Sequence, residues 1–415
     1  MTGIAEETLN GIVADYNAGP GAEKQITVTA LYQGSYDEAA TKLSAVIQSG
    51  VQEELPDLIQ LSAKGIFDMK ESPFLLPLSY MVEADPDGLP LADMSPNALQ
   101  YVTYQNELIG MPFSNSTFIL YYNKDHFRAA GLDPEKPPKT LEEMAKAVEA
   151  LTVKEGNKIT RYGIGIKMRN ALLASWIPMQ GEGKYIFNEE EGRTGTPTKI
   201  AMTEDGTLAH LLTEWQKVLD TGGVEYTDAS PFESFQTELY SMMLASTSSI
   251  TKATKTIGDA GLFEVGYAAY PRVDTNSTTG SAITGSALYM MDRGDRDTSL
   301  GAWDFLKFIA TPEASAKWFL GTGYYPPNLK AKELPEIQQL IAEKPQYGLP
   351  FEIAQDSANY PKCLEPWTPS FTDIDTVIQN EIILFSDGTQ TLEQTIENID
   401  TQSNQKLQDW LKANT

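Results

Sequence analysis

Helix and strand signals alternate from one end of the chain to the other, which predicts an α/β protein with open sheets. The length, 415 residues, exceeds one ordinary core and implies two or three domains at roughly 100–200 residues each. Hydrophobic residues make up 41 % and aromatics 10 %, enough to fill those cores and to exclude wholesale disorder.

Ile26–Tyr32 reads as a strand. The helix that follows spans Ser35–Ser49, where Ala39, Leu43 and Val46 share one face. Asp57–Leu61 and Thr117–Tyr122 are strands, and Asp125–Ala130 is a short helix stopped by Gly131. Pro134, Pro137 and Pro138 make an exposed connection. Thr140 with Glu143 forms a capping box for a helix carrying Leu141, Met144, Ala145, Val148 and Leu151 at helical spacing. Leu208–Leu219 is amphipathic around Leu211, Leu212, Trp215 and Val218, and Gly222–Gly223 end it. Phe263–Tyr270 and Ala287–Met291 are strands flanking a polar loop, Asp274–Gly280. Ala302–Ile309 is helical, Pro312 starts another helix that Gly321 stops, and Leu392–Leu411 forms the last.

The formal net charge is −26, which argues against nucleic acid and anionic membrane as partners, since both reward basic patches. Cys363 is the single cysteine, so an internal disulfide and a multi-cysteine metal site are excluded. His126 and His210 are far apart and form no HExxH pattern. No apolar run reaches the roughly 18–20 residues of a membrane-spanning helix, and no basic-then-apolar segment opens the chain. No metal or cofactor is expected.

Several short motifs invite chemistry and lack its spacing. Gly163-Ile164-Gly165 has no third glycine, and Gly181-Glu182-Gly183-Lys184 lacks both the upstream glycine and the Ser/Thr of a phosphate loop. Asp85-Pro86-Asp87-Gly88 begins like a calcium loop but has Leu89 at position five and Pro96 at position twelve, so it reads as a turn. Arg293-Gly294-Asp295 reads as turn formers in a charged loop rather than an adhesion motif. There is no G-x-S-x-G elbow, and neither histidine has a nucleophile at triad spacing. Paired carboxylates for glycoside hydrolysis are defined in space, so 57 acidic residues neither establish nor exclude them. Abundant aromatics with Ser, Thr and Asn in turns suit binding of a polar solute: aromatic faces cover a sugar ring and polar groups match its hydroxyls.

Met111-Pro112-Phe113-Ser114-Asn115-Ser116-Thr117, Leu120-Tyr121-Tyr122-Asn123-Lys124, Gly131-Leu132-Asp133-Pro134 through Thr140, Gly34-Ser35-Tyr36, Ala310-Thr311-Pro312-Glu313 and Thr322-Gly323-Tyr324-Tyr325-Pro326 together resemble the extracellular solute-binding proteins of ABC importers. The likeness is to the carbohydrate-type family, and within it to members that bind glycerol 3-phosphate. It covers nearly the whole chain in order. It implies a two-lobed, type II periplasmic-binding fold with a hinge and a ligand cleft between lobes. Crossings are expected near Met111–Phe113, Tyr267–Pro271 and Ile309–Pro312, giving an N-terminal lobe of 1–111 plus 270–311 and a C-terminal lobe of 112–269 plus 312–415. It also implies a first strand and an export signal ahead of the helix near Ile4. Neither is present in this sequence, which opens with Met1-Thr2-Gly3.

Carried over residue by residue, the resemblance points to Tyr36, Ser62, Ala63, Asn115, Ser116, Ser248, Gly285, Tyr324, Trp367 and Asp375 as ligand-binding positions. Gly285 lets backbone N–H approach a ligand, and Trp367 is either a stacking platform or a packing residue. The family's glycerol-holding glutamate falls at Ala63 and its phosphate-holding arginine at Asp375. A carboxylate there repels phosphate and suits the hydroxyls of a neutral sugar. Lys64, Lys167 and Arg169 are alternative cations that keep a phosphodiester open. The implied function is capture of a carbohydrate or polyol-phosphate solute for a membrane permease by a monomer outside the cytoplasm, in the periplasm or lipid-anchored at the outer face of the cell membrane. The competing readings are a secreted glycoside-active enzyme and a surface adhesin.

Overall fold

The computed structural model describes residues 4–168, 170–227, 229–278, 281–357 and 363–414, with the side chains at 37, 63, 64, 68, 170, 171, 356 and 357 left aside. The chain divides into two compact units. The first comprises Met1–Ser116, Arg193–Gly195 and Ile283–Pro361; the second comprises Thr117–Gly192, Thr196–Ala282 and Lys362–Thr415. Residues 312–361, assigned above to the second lobe, belong to the first unit, where the Pro312–Thr322 helix packs on Ile4–Ala18, and residues 270–282, assigned to the first lobe, belong to the second unit. Among the described residues no helix is long and apolar enough to cross a membrane.

The first unit is organised on the Thr284–Met291 strand, which pairs antiparallel with Leu58–Ser62 on one side and with Leu75–Leu76 and Met111–Ser116 on the other. One face is covered by helices. Ile12, Val13 and Tyr16 of the first helix pack with Trp303, Leu306 and Trp318 and with Phe113 and Met290 of the sheet. Phe113 stacks on Trp318 at 4.5 Å, and Trp318 stacks on Tyr324 at 6.0 Å.

The second unit holds a six-stranded sheet in the order Val265–Ala268, Phe118–Asn123, Tyr240–Ser246 and Lys158–Ile166, with Val153–Glu155 and Val224–Tyr226 both on Lys158–Ile166. Tyr240–Ser246 runs parallel to Lys158–Ile166 and antiparallel to Phe118–Asn123. The helices Leu141–Leu151 and Thr207–Leu219 pack together, and Trp176 meets Trp215 at 5.6 Å and Tyr270 at 5.0 Å. The glycines at 163 and 165 are packing positions: a Cβ at Gly163 would meet Val148, and one at Gly165 the Tyr240 ring.

Most elements fall where spacing places them, and the exceptions have local causes. Ile26–Tyr32 forms no strand. The Asn17 side chain takes a partner's place, donating Nδ2–H to Val28 O at 2.9 Å and accepting from Val28 N at 2.8 Å. Gly321 does not stop its helix; Gly323 does, in the left-handed conformation at φ 75°. Thr140 caps Leu141–Leu151 by accepting from Glu143 N, but the Glu143 carboxylate returns to Lys139 N rather than to Thr140 N. The last helix runs from Leu392 to Asn414. Of the Asp274–Gly280 loop, 279 and 280 lie outside the described residues.

The remaining motifs resolve into structure. Asp85 accepts from Trp303 Nε1 at 3.0 Å and from Lys307 Nζ at 2.9 Å, and its carbonyl receives Gly88 N–H. Arg293 pairs with Asp57, Gly294 turns the chain at φ 76°, and Asp295 caps Arg296–Ile309.

Candidate functional site

The ends of three first-unit strands carry a polar cluster. Opposite Gly285 stands Asn115, and opposite Ser286 stands Phe113, so Ser114 is the extra residue of a β-bulge. Its backbone sits at φ 55°, a region that non-glycine residues rarely occupy. Gly285 is at φ 110°, and a Cβ there would run into the Ser114 carbonyl. The glycine is therefore demanded by the bulge itself. Bulges of this kind re-aim side chains at sheet rims.

Around the bulge, Gln60 Nε2 donates to Ser114 Oγ at 2.9 Å and to Ser286 Oγ at 2.6 Å. The Tyr36 hydroxyl lies 3.1 Å from Ser286 Oγ, and Tyr101 donates to Gly285 O at 3.1 Å. Ser116 and Thr284 bring their hydroxyls to 3.4 Å. Ser62 pairs with Ser286 in register and opens the Ala63–Met69 helix without a side-chain cap bond. Tyr36 is the first residue of its helix, held there by a full capping box: Ser35 Oγ accepts from Glu38 N, and Ser35 N donates to the Glu38 carboxylate at 2.6 Å. The Ser35 backbone N–H, and after it the Ser35 hydroxyl, hold the Glu38 carboxyl below the usual carboxylate range.

Tyr36, Ser62, Asn115, Ser116 and Gly285 thus share one region of the first unit. Tyr324 adjoins it through Trp318 and Phe113, and the next residue donates its backbone N–H to Asn115 O at 2.8 Å. Asn115 is 2 % exposed, yet its Nδ2 has no hydrogen-bond partner among the described residues. A buried donor left unmet costs about 1–3 kcal/mol.

Ser248, Trp367 and Asp375 stand on separate elements of the second unit. Ser248 follows the Tyr240–Ser246 strand, with its hydroxyl 2.9 Å from Ser246 Oγ. Trp367 is fully buried: it donates N–H to Glu191 O at 2.8 Å, and Gly192 leaves no room for a Cβ against its carbonyl. That is the packing role of the two envisaged for it. Asp375 is half-buried in the second turn of Phe371–Ser386. The side chains of Ala63 and Lys64, and Arg169 as a whole, lie outside the described residues. Lys167 follows the Lys158–Ile166 strand.

Three contributors escape a reading by sequence. Gln60 and Ser286 sit within strands, where polar residues on one face are ordinary, and Ser114 is special only through a bulge that pairing creates. Gln60 does break an otherwise apolar run, Leu58-Ile59-Gln60-Leu61, which is the one signal sequence offers.

One histidine has the linkage of a hydroxyl–imidazole–carboxylate chain, but its serine, Ser241, is fully buried and closed to a substrate. His126 is buried, with Nδ1 3.0 Å from Ser241 Oγ and Nε2 2.9 Å from Glu238. His210 Nε2 contacts Asp274 at 2.9 Å, and Ser277 donates to that same aspartate, not to the imidazole. Burial pushes the Cys363 thiol up to about 12, far from a reactive thiolate. Among the described residues no group of three or more His, Cys, Asp or Glu side chains could hold a metal ion.

A model of the bacterial extracellular solute-binding protein family matches residues 11–345. The sn-glycerol-3-phosphate-binding periplasmic protein UgpB of Salmonella typhimurium is 27 % identical over 423 residues, covering 100 % of this chain and 92 % of that one. Its counterpart from Yersinia pseudotuberculosis is 26 % identical over 356 residues, covering 83 % and 76 %. Among solved structures, UgpB of Mycobacterium tuberculosis in complex with glycerophosphocholine superposes with a TM-score of 0.76 at 19 % identity, covering 98 % of this chain and 95 % of that one. The sugar-binding protein MalE of Xanthomonas citri gives 0.77 at 17 %, covering 100 % and 98 %. At those identities the structural likeness speaks for the fold.

Proposed function

The chain belongs to the bacterial extracellular solute-binding protein family, and from that premise we propose that it captures a small polar solute outside the cytoplasm and hands it to the permease of an ABC importer. The observation that carries this reading is the polar cluster on the first unit's strands, where the Tyr36 and Ser286 hydroxyls lie 3.1 Å apart and Asn115 and Ser116 end the neighbouring strand. Such a set matches the alternating donors and acceptors of a carbohydrate or polyol. It performs no bond-breaking step.

For the solute, relatives named for glycerol 3-phosphate, a neighbour named for sugar binding and one solved with glycerophosphocholine support a sugar or a glycerol-phosphate-like compound. Asp375, which the resemblance sets where the family holds phosphate with an arginine, supplies none of that arginine's donors, and this favours a neutral sugar over a free phosphomonoester. Ser248 is proposed as a further contact.

A thermal-shift screen of mono- and oligosaccharides, polyols and glycerophosphodiesters tests the reading. A solute at a hundredfold excess over its dissociation constant adds about 2.7 kcal/mol. Tyr36→Ala and Asp375→Ala should each remove the response to the compound found. Turnover of a glycoside, or full affinity in both variants, overturns the reading.

A further inference from the structure

The loop 188–199 closes at its base, where Phe187 faces Ile200 as an antiparallel bridge and the Asn188 side chain accepts from Thr198 N at 2.9 Å and donates to Thr198 Oγ1 at 2.9 Å. Its tip, Arg193–Gly195, belongs to the first unit although the residues on either side belong to the second. There the Arg193 carbonyl accepts from Gln105 N at 2.8 Å, and the buried guanidinium lies 5.6 Å from the centre of the Tyr101 ring, within cation–π reach. Tyr101 in turn donates to Gly285 O at 3.1 Å, at the bulge. The approach to the tip is strained. Glu189, Glu190 and Glu191 take φ of 58°, 48° and 58°, and Gly192 follows at 81°. Left-handed backbone costs a residue with a side chain free energy, because its Cβ crowds the following carbonyl, and such residues ordinarily come singly. The far end of the turn is pinned: the buried Glu191 carboxylate accepts from Ile186 N at 2.6 Å and from Phe187 N at 3.0 Å, and Trp367 N donates to Glu191 O at 2.8 Å.

Backbone strain concentrates at clamps and switches, where the surroundings hold a conformation that the chain alone would leave. We propose that the loop 188–199 is a strained strap: Arg193 is seated against Tyr101, as here, when solute is held at the bulge, and withdraws with the turn unwound when solute leaves. This rests on the reading that the bulge around Gly285 carries solute contacts. The seated strap braces Tyr101, and Tyr101 holds the Gly285 carbonyl, so solute and strap stabilise one another; a coupling of this kind is reciprocal. Relief of the strain should therefore tighten solute binding.

Hydrogen exchange and calorimetric titration with maltose, ribitol, sn-glycerol 3-phosphate and glycerophosphocholine test it. When the probe that binds is added, protection of the Gln105 amide, which bonds the strap, should rise about tenfold more than that of the Ile109 amide, which bonds Val102 O nearby. A rise at Gln105 no larger than at Ile109 is general stabilisation and overturns the inference. Glu190→Gly and Glu190→Ala remove the same carboxylate, and only alanine keeps the left-handed penalty. The glycine variant should bind the probe about fivefold more tightly than the alanine variant. Equal affinities, even with the glycine variant melting higher, show a fixed piece of backbone and overturn the inference. Either failure leaves the functional reading to the Tyr36→Ala and Asp375→Ala titrations, whereas no binding of any probe to the wild type overturns both.

Discussion

Ser114 at φ 55° and Gly285 at φ 110° face each other across the bulge, and the two backbones depend on one another. Gly285→Ala places a Cβ against the Ser114 carbonyl and strains the backbone, so the substitution should destabilise the protein by about 2 kcal/mol and weaken solute binding as well. Urea denaturation reads the first effect, and an unchanged midpoint would show that the bulge tolerates a side chain. His126 supplies a separate test. Burial, with help from Arg161, holds its imidazole below the ordinary 6.5, although its bond to Glu238 and the nearby Asp125 pull the other way. A folded pKa below the unfolded one means that the unfolded chain binds protons first as pH falls. The stabilising contribution is present above 6.5 and is lost as pH drops through the folded value. Melting between about pH 7.5 and about pH 5.5 should therefore fall more in wild type than in His126→Gln, which has no proton to take up in that range. Equal slopes would show that the Glu238 contact cancels the burial.

Caps decide where several helices begin, and the one before Tyr36 has consequences for the site. Ser35→Ala removes one of the two reciprocal bonds of the box, and should cost about 1 kcal/mol. Because Tyr36 is the first helical residue, the same variant should weaken solute binding while leaving the second unit's sheet intact by hydrogen exchange. Loss of stability without loss of affinity would separate Tyr36 from the solute. Caps are short local patterns, yet the one box read from sequence, Thr140 with Glu143, closes only on its Thr140 side, the complete box at Ser35 and Glu38 goes unread, and Pro312 opens its helix as its position predicts. The amphipathic face of Leu141–Leu151 is legible. The remaining failures have the opposite character. Ile26–Tyr32 has the composition of a strand, but pairing is decided by a distant neighbour, and Asn17 takes that place. In the site, resemblance pointed to Tyr36, Asn115, Ser116 and Gly285, which the fold gathers in one region. Gln60, Ser114 and Ser286 stayed hidden because register, not residue type, brings them together.

At the scale of the molecule the governing quantity is the net charge of −26. Charge of one sign repels itself in a compact state and favours expansion. The ion pairs that oppose it are mostly exposed: Lys146–Glu142 has side chains 70 % and 61 % accessible, and Lys136–Asp133 82 % and 46 %. Pairs in that setting contribute little, at most about 1 kcal/mol each. Self-repulsion therefore outweighs them, and salt should act mainly on the repulsion. Raising sodium chloride from about 10 mM to about 100 mM shortens the screening length from about 30 Å to about 10 Å, which silences the many long-range repulsions while leaving pairs in direct contact largely intact. The melting temperature should rise across that interval and level off above it, with solute absent and pH held above 7 so that His126 stays neutral. A melting temperature that falls with salt would mean that the paired charges, not the excess of carboxylates, dominate the electrostatic energy of the folded chain.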